Sequence, residues 1–410
     1  MLLKGNNKNR LIVLVILLVL LIISYICLVI YNNQSLKEYD NKILPNTYIE
    51  EFDMSDYSYE NAISKIEYSK DYISSKKIKV NIDSKEYEYS IGDLGIEVDI
   101  KSTIEKLKEK QKGMNYSSKL MLINGTDKNV FSFIYIINEE KLKETLNTLK
   151  NVVDYGAING YFDTSDGVSY KEGANGFSLN IDKSVENVKN SILNGIDVNT
   201  NIELNGDVIN ASNNESYKTI DTLTSVSITP FRPYTYLRNI NLDTALAYIN
   251  GTVVEPGEIF SYCNVAGPFN KRGYVFYYEF VGNGVCQIAT TTYNAALLGG
   301  LEIVKRYPHA KKSLYIEGGL DATVASYSSG WCADMQFKNT YEYPIYIKAF
   351  SENGNAHVEF WSNHDAKKGL EYTTSSVQIG LRGYRTYLHT WKDGQEIAVN
   401  EIATTWYSED

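Results

Sequence analysis

The stretch Val281–Ala310, VGNGVCQIATTTYNAALLGGLEIVKRYPHA, sets one cysteine behind two glycines and ahead of an apolar run, with His309 23 positions beyond the cysteine. Gly282 and Gly284 permit a tight backbone with positive φ. The run from Cys286 to Leu301 has the periodicity of a helix that starts at or just after the cysteine. A thiol there meets the unpaired N–H groups and positive dipole end of a helix N-terminus, which favour a thiolate and can cradle an oxyanion. Gly282, Gly284 and Gln287 are thus candidates for the turn and the oxyanion side. His309, fixed beside Pro308 in a bend, completes the Cys–His pair that thiol acyl transfer requires. Asp321, in GGLDATV, is placed to orient the imidazole.

A blander reading competes. On spacing alone, a lone cysteine opening an apolar helix is more often a packing residue than a nucleophile. Cys286 therefore stays open between packing residue, disulfide partner and nucleophile. Cys263 and Cys332 lack the glycine-then-helix context; either is a buried thiol, or the two pair. Three cysteines outside the apolar N-terminus leave at least one unpaired within a chain, and a protein of 410 residues can build its core without a disulfide scaffold. His357, His364 and His389 have no partner pattern, and one Cys with one His gives no metal-ligand spacing. No metal or organic cofactor is expected.

Leu11–Tyr31 is 21 residues without a charge, long enough to cross a bilayer as a helix, with Cys27 as an apolar residue inside it. Lys4, Lys8 and Arg10 precede it, and the first charges after it are mixed, so the positive-inside rule puts the N-terminus in the cytoplasm and the remainder outside. The run is longer than a signal-peptide core and lacks a small-x-small cleavage site, which favours an uncleaved anchor. A net charge of −10 argues against a nucleic-acid partner.

The fold class read from the pattern is α+β. Residues 1–32 form the cytoplasmic tip and anchor helix, and 33–46 a linker. Residues 47–210 hold an internal repeat: GIEVDIKSTIEKL from Gly95 and GFSLNIDKSVENV from Gly176 share one pattern and imply two copies of a strand–turn–helix unit. The Ser/Thr of each copy, followed two residues later by Glu, suits a helix start. DMSDYSYENAISKIEYS reads as a turn and amphipathic helix, and IKVNIDSKEYEYSI as a hairpin. Residues 223–363, beginning with the strand-like SVSITPFRP, read as a mostly-β domain holding the helix after Cys286. Residues 364–410 read as a short β-hairpin tail turning at KDGQ.

RNINLDTALAYINGTVVEPGEIFSYCNVAGPFNKRGY, GNGVCQIATTTYNAALLGGLEIVKRYPHA, GGLDATV and FKNTYEYPIYI, taken in order, resemble the motifs of the VanW-type domain. The upstream repeat is similar to the peptidoglycan-binding module that precedes such domains and some L,D-transpeptidases. The tail resembles the glycine-containing β module that follows them. The resemblance implies a membrane-anchored, wall-facing L,D-transpeptidase in which Cys286 is the nucleophile, His309 its base and Asp321 a third member. Its partners would be peptidoglycan stem peptides. A cysteine carboxypeptidase or endopeptidase on the same stems, and a non-catalytic wall-binding protein, are the alternatives. Asn283 departs from the family's three glycines before Val-Cys; asparagine tolerates positive φ better than other side chains, so the turn is expected to survive.

Overall fold

The computed structural model describes residues 7–193, 195–196, 200–231, 236–277, 280–326 and 332–408. Of SVSITPFRP, Arg232 and Pro233 lie outside the described residues. The chain divides into two compact units, residues 1–157 with 175–210, and residues 158–174 with 211–410. It is mixed α+β, built from short sheets and helices after one long N-terminal helix, Asn7–Glu38. Within that helix, Arg10–Glu38 is long and apolar enough to cross a membrane, and its apolar window buries nothing against the protein.

In the first unit, the repeat folds as strand then helix without an intervening turn. Ile96–Val98 leads through Asp99 into the helix Ile100–Gly113, and Gly176–Leu179 leads through Asn180 into Ile181–Ile192. The helix starts are not the Ser/Thr positions read from sequence; the Asp and Asn shared by the two repeats are the caps. Asp99 Oδ1 accepts from Ser102 N at 3.0 Å and Asn180 Oδ1 from Lys183 N at 3.1 Å. Such a cap satisfies an orphan N–H and is worth about 1 kcal/mol. A third copy of the device follows Tyr135–Ile137, where Asn138 caps Glu139–Val153. The apolar faces of these helices meet in one core that includes Leu107, Leu142, Leu146 and Val188. The hairpin read from IKVNIDSKEYEYSI is present as Lys77–Ile82 against Lys85–Ser90. Ser58 caps the helix Tyr59–Tyr68 that the acidic turn foreshadows.

The second unit is organised around the helix Val285–Leu298, buried along nearly its whole length, with its Gln, Thr and Asn side chains hydrogen-bonded inside the core. A four-stranded sheet runs in the order Thr222–Pro230, Asn355–Ser362, Ile345–Glu352, Val253–Val254. Asn355–Ser362 alternates strictly, with Ala356, Val358, Phe360 and Ser362 turned inward, the period-2 signature of a half-buried strand. The helix Tyr236–Ile249 and the sheet Ile259–Ser261, Gln336–Lys338, Glu302–Lys305 complete the core. The hairpin Tyr161–Asp163/Ser169–Lys171, inside the stretch read as the repeat module, belongs to this second unit. The tail is larger than one hairpin: Leu370–Gln378, Gly383–Lys392 and Gln395–Trp406 form a three-stranded antiparallel sheet. Its last turn falls at Asp393 and Gly394, both with positive φ, inside the KDGQ read as a turn.

Cys263 and Cys332 form a disulfide across 69 positions, and among the described residues Cys286 and Cys27 are the free thiols. Closing a loop of that length constrains the unfolded chain by about 4 kcal/mol in the chain-entropy account. The double variant Cys263→Ser/Cys332→Ser should therefore lower the denaturant midpoint of the second unit by an amount matching a loss of about 2–4 kcal/mol. An unchanged midpoint would remove the disulfide from the account of this unit's stability.

Candidate active site

Cys286 is the second residue of its helix, and the turn before it is built by two glycines. Gly282 has φ 76° and Gly284, the N-cap, φ 115°. A Cβ at Gly282 would lie 2.6 Å from the carbonyl oxygen of Phe269, and one at Gly284 3.1 Å from the Arg238 side chain. Asn283 sits between them outside the left-handed region, so no positive φ has to be tolerated at this departure from the family pattern. Its carbonyl accepts from Asn241 Nδ2 at 3.0 Å. Val285 N donates to Gly282 O and Gln287 N to Gly284 O, whereas the Cys286 N–H has no acceptor among the described backbone bonds. Gln287 is deeply buried and its amide is committed: Nε2 donates to Thr229 Oγ1 and Pro230 O, and Oε1 accepts from Arg238 Nη2. It fixes the first turn rather than offering its side chain to a ligand.

One face of this helix docks the segment Leu320–Val324 rung by rung. Asn294 Nδ2 donates to Leu320 O at 2.8 Å, Thr290 Oγ1 both donates to Ala322 O and accepts from Ala322 N, and Cys286 Sγ lies 3.2 Å from Val324 O and 3.4 Å from Val324 N. The helical partners are four residues apart, about 6 Å of rise, and the segment partners two apart, about 6.6 Å in extended chain. The two spacings match over three rungs. The residues between rungs, Asp321 and Thr323, are left to face elsewhere.

Asp321 is completely buried. Its Oδ2 accepts from His309 Nδ1 and from the His309 backbone N, each at 2.7 Å; its Oδ1 accepts from Tyr407 OH at 2.7 Å and Arg306 Nη2 at 3.1 Å. Burial opposes the charge on Asp321, but the bonds from His309 and Tyr407 and the Arg306 charge outweigh it and hold the carboxyl below its ordinary value. A carboxylate only accepts, so Nδ1 carries a proton and Nε2 is the nitrogen left for the thiol. Burial likewise disfavours an imidazolium at His309, yet hydrogen bonds to Asp321 and to the Cys286 sulfur, with their charges, push its pKa up to about 9. Cys286 and His309 line one cavity of about 520 Å³, a size suited to a small ligand or peptide end. Thr323 lines the same cavity, and its Oγ1 is buried without a hydrogen-bond partner.

The geometry thus brings together the three residues read from sequence and adds three that sequence reasoning missed. Arg306 and Tyr407 each follow the last residue of a strand, and nothing local marks Tyr407, 86 positions from Asp321, as its partner. Tyr407 OH also accepts from Gly319 N, and Arg306 Nη1 reaches Thr405 Oγ1, so the C-terminal sheet closes the carboxylate's shell. Thr323 could have been found through the alternation of the ladder. The other histidines stand apart: His357 stacks on Phe350, His364 pairs with Asp221, and His389 with Glu396. Among the described residues no cluster of His, Cys, Asp and Glu suits a metal ion.

A thiol at a helix start, an imidazole against it and a buried carboxylate behind form the kind of constellation that cysteine-dependent acyl transfer uses. Residues 237–361 match the family described as "VanW like protein", and residues 87–200 match the "Putative peptidoglycan binding domain". The chain thus carries a VanW-like domain with a peptidoglycan-binding-type module upstream of it, a pairing that suggests association with the cell wall. It is 33% identical over 148 residues to "Uncharacterized protein YoaR" of Bacillus subtilis (strain 168), a match covering 33% of this chain and 46% of that protein. The chain therefore spans about half the length of that relative. No solved structure matches.

Because the His309 pKa lies above its ordinary 6.5, the stability it contributes is complete below about pH 6.5 and is lost as pH rises through about 9. Denaturant midpoints measured from pH 6 to 10 should fall across that window in the native protein and not in His309→Gln. In Asp321→Asn, the imidazole midpoint followed by NMR should move down from about 9 toward 6.5. An unmoved midpoint would show that Asp321 does not govern the imidazole.

Proposed function

We propose that this protein is a membrane-anchored L,D-transpeptidase that faces the cell wall and forms 3→3 peptidoglycan cross-links through Cys286. The observation that carries the reading is that Cys286 at a helix start and His309 line one cavity of peptide size, with Asp321 bonded to the His309 ring behind them. The Cys286 thiolate attacks the carbonyl at the L-centre of diaminopimelate in a tetrapeptide stem, and the C–N bond to the terminal D-alanine breaks. The imidazolium of His309 gives its Nε2 proton to the leaving amine, which leaves a thioester on the sulfur. An amine from a second stem then attacks the thioester, His309 takes the proton, a new amide forms and the thiolate returns.

Asp321 keeps the ring in the tautomer this exchange needs and stabilises its cationic form. The Cys286 N–H, at the first turn of the helix, is a donor available to the developing oxyanion. The N-terminal apolar helix serves as an uncleaved anchor with its basic end in the cytoplasm, which puts both units outside. The Cys263–Cys332 disulfide supports that orientation, since such bonds persist in oxidising compartments. The upstream module would hold glycan or stem near the cavity, raising effective concentration without entering the chemistry.

Muropeptides from cells overproducing the protein should gain 3→3 dimers that disappear with Cys286→Ala. Tripeptide stems without new dimers would replace transfer with hydrolysis. A profile indifferent to Cys286→Ala would make the chain a wall-binding protein.

A further inference from the structure

The apolar run Leu11–Tyr31 is 21 residues, about 31 Å of helix, which fills a hydrocarbon core of about 30 Å and puts Tyr31 at its outer edge. The helix does not break there but continues to Glu38. Residues 11–28 are exposed, whereas Val29, Asn32, Ser35, Leu36 and Tyr39 are partly buried, so protein covers one face of the helix from the end of the apolar run outward. The helix Tyr116–Ile123 lies against that end.

A cavity of about 280 Å³ opens here, lined by Leu36, Tyr39 and Asp40 on one side and by Lys112, Tyr116 and Lys119 on the other. Gln111 fixes its position: Nε2 donates to Lys42 O at 2.8 Å and Oε1 accepts from Leu44 N at 3.0 Å, which clamps the end of the helix Ile100–Gly113 to the chain just past the anchor. Leu36 stands about 7.5 Å beyond Tyr31 along the helix, and a headgroup layer is about 5–7 Å deep, so the cavity lies at the level of the lipid headgroups.

The chain is acidic, at −10, yet residues 110–126 carry Lys110, Lys112 and Lys119 and no acid. Lys108 and Lys110 rest on the rings of Tyr59 and Phe131, 5.0 and 4.6 Å from their centres. Lys112 and Lys119 have no ring beneath them and no ion pair among the described residues, and the acid in the cavity lining, Asp40, is bonded to neither. Tyr116 and Met121 are exposed on the same short helix as Lys119. Aromatic and apolar groups beside unpaired cations suit the boundary between a bilayer and water.

We infer that these residues form a foot on the outer leaflet, in which Lys112 and Lys119 hold the phosphate of an anionic phospholipid headgroup seated in the cavity beside Leu36 and Tyr39. Each lysine near an anionic bilayer adds to the attraction, and one carboxylate offsets only one of the two. The placement rests on the anchor reading given above; the preference for an anionic headgroup rests on the cavity.

Native mass spectrometry of the full-length protein in micelles, titrated with phosphatidylglycerol or with phosphatidylcholine of the same acyl chains, tests the foot. The first bound lipid should favour phosphatidylglycerol about tenfold. That preference should fall severalfold in Lys112→Ala/Lys119→Ala and persist in Lys112→Arg/Lys119→Arg. It should also persist in Lys77→Ala/Lys79→Ala, which removes the same charge from a hairpin where both lysines pair with glutamates. Binding indifferent to the headgroup, a preference kept without Lys112 and Lys119, or one lost equally in both alanine pairs overturns the foot. The intact mass of the protein taken from cells reads the anchor separately. A chain that begins beyond Tyr31 sinks the anchor reading and this placement with it, whereas a chain that keeps the helix and shows no headgroup preference sinks the foot alone.

Discussion

The site depends on one register match between a buried helix and the segment laid along it. Cys286, Thr290 and Asn294 stand one above another because α-helical residues four apart share a face. Val324, Ala322 and Leu320 meet them in the opposite order because alternate residues of extended chain share a side. Those rungs fix where the sulfur lies and also which residues of the segment are forced away from the helix. Asp321 is one of the latter, and its carboxylate is thereby delivered to His309. A one-residue slip would exchange the two sets and put Asp321 against a buried helix, where an unpaired charge is costly.

Burying Asp321 demands compensation, and the protein draws it from three directions. His309 supplies two donors, Arg306 a charge and Tyr407 a hydroxyl. The last two connect the carboxylate to the C-terminal sheet, so a tail that looks like an appendage in the sequence helps hold the carboxylate that bonds His309. The disulfide performs a comparable task on another side: Cys332 opens the short strand paired with Ala325–Ser326, residues that line the cavity, and ties it to Cys263.

Much of this was legible in the sequence where the signal is local. Two glycines before Val-Cys announced a turn with positive φ, and the structure puts that φ at both. The strands with strict alternation and the KDGQ turn followed the same logic. Where the signal is not local, the reading fell short. Thr103 looked like a helix start because hydroxyls favour caps, but Asp99 directly follows a strand and captures the cap four residues earlier. Leu370–Gln378 is rich in Thr and Ser with little apolar alternation, and it becomes a strand because Gly383–Lys392 pairs with it. Asn283 was judged by its tolerance of positive φ, whereas the backbone asks nothing unusual of it. Arg306 and Tyr407 carry no motif at all; only the folded chain brings them to Asp321.

The central claim is that Cys286 becomes acylated. Intact-mass spectrometry of the full-length protein mixed with a tetrapeptide stem, quenched in acid to preserve thioesters, tests it most directly. The account predicts a mass gain equal to the stem minus one free alanine, mapped to Cys286, absent in Cys286→Ala and slow to form in His309→Gln. Turnover of the stem with no adduct on Cys286, or with an adduct that survives Cys286→Ala, would contradict it.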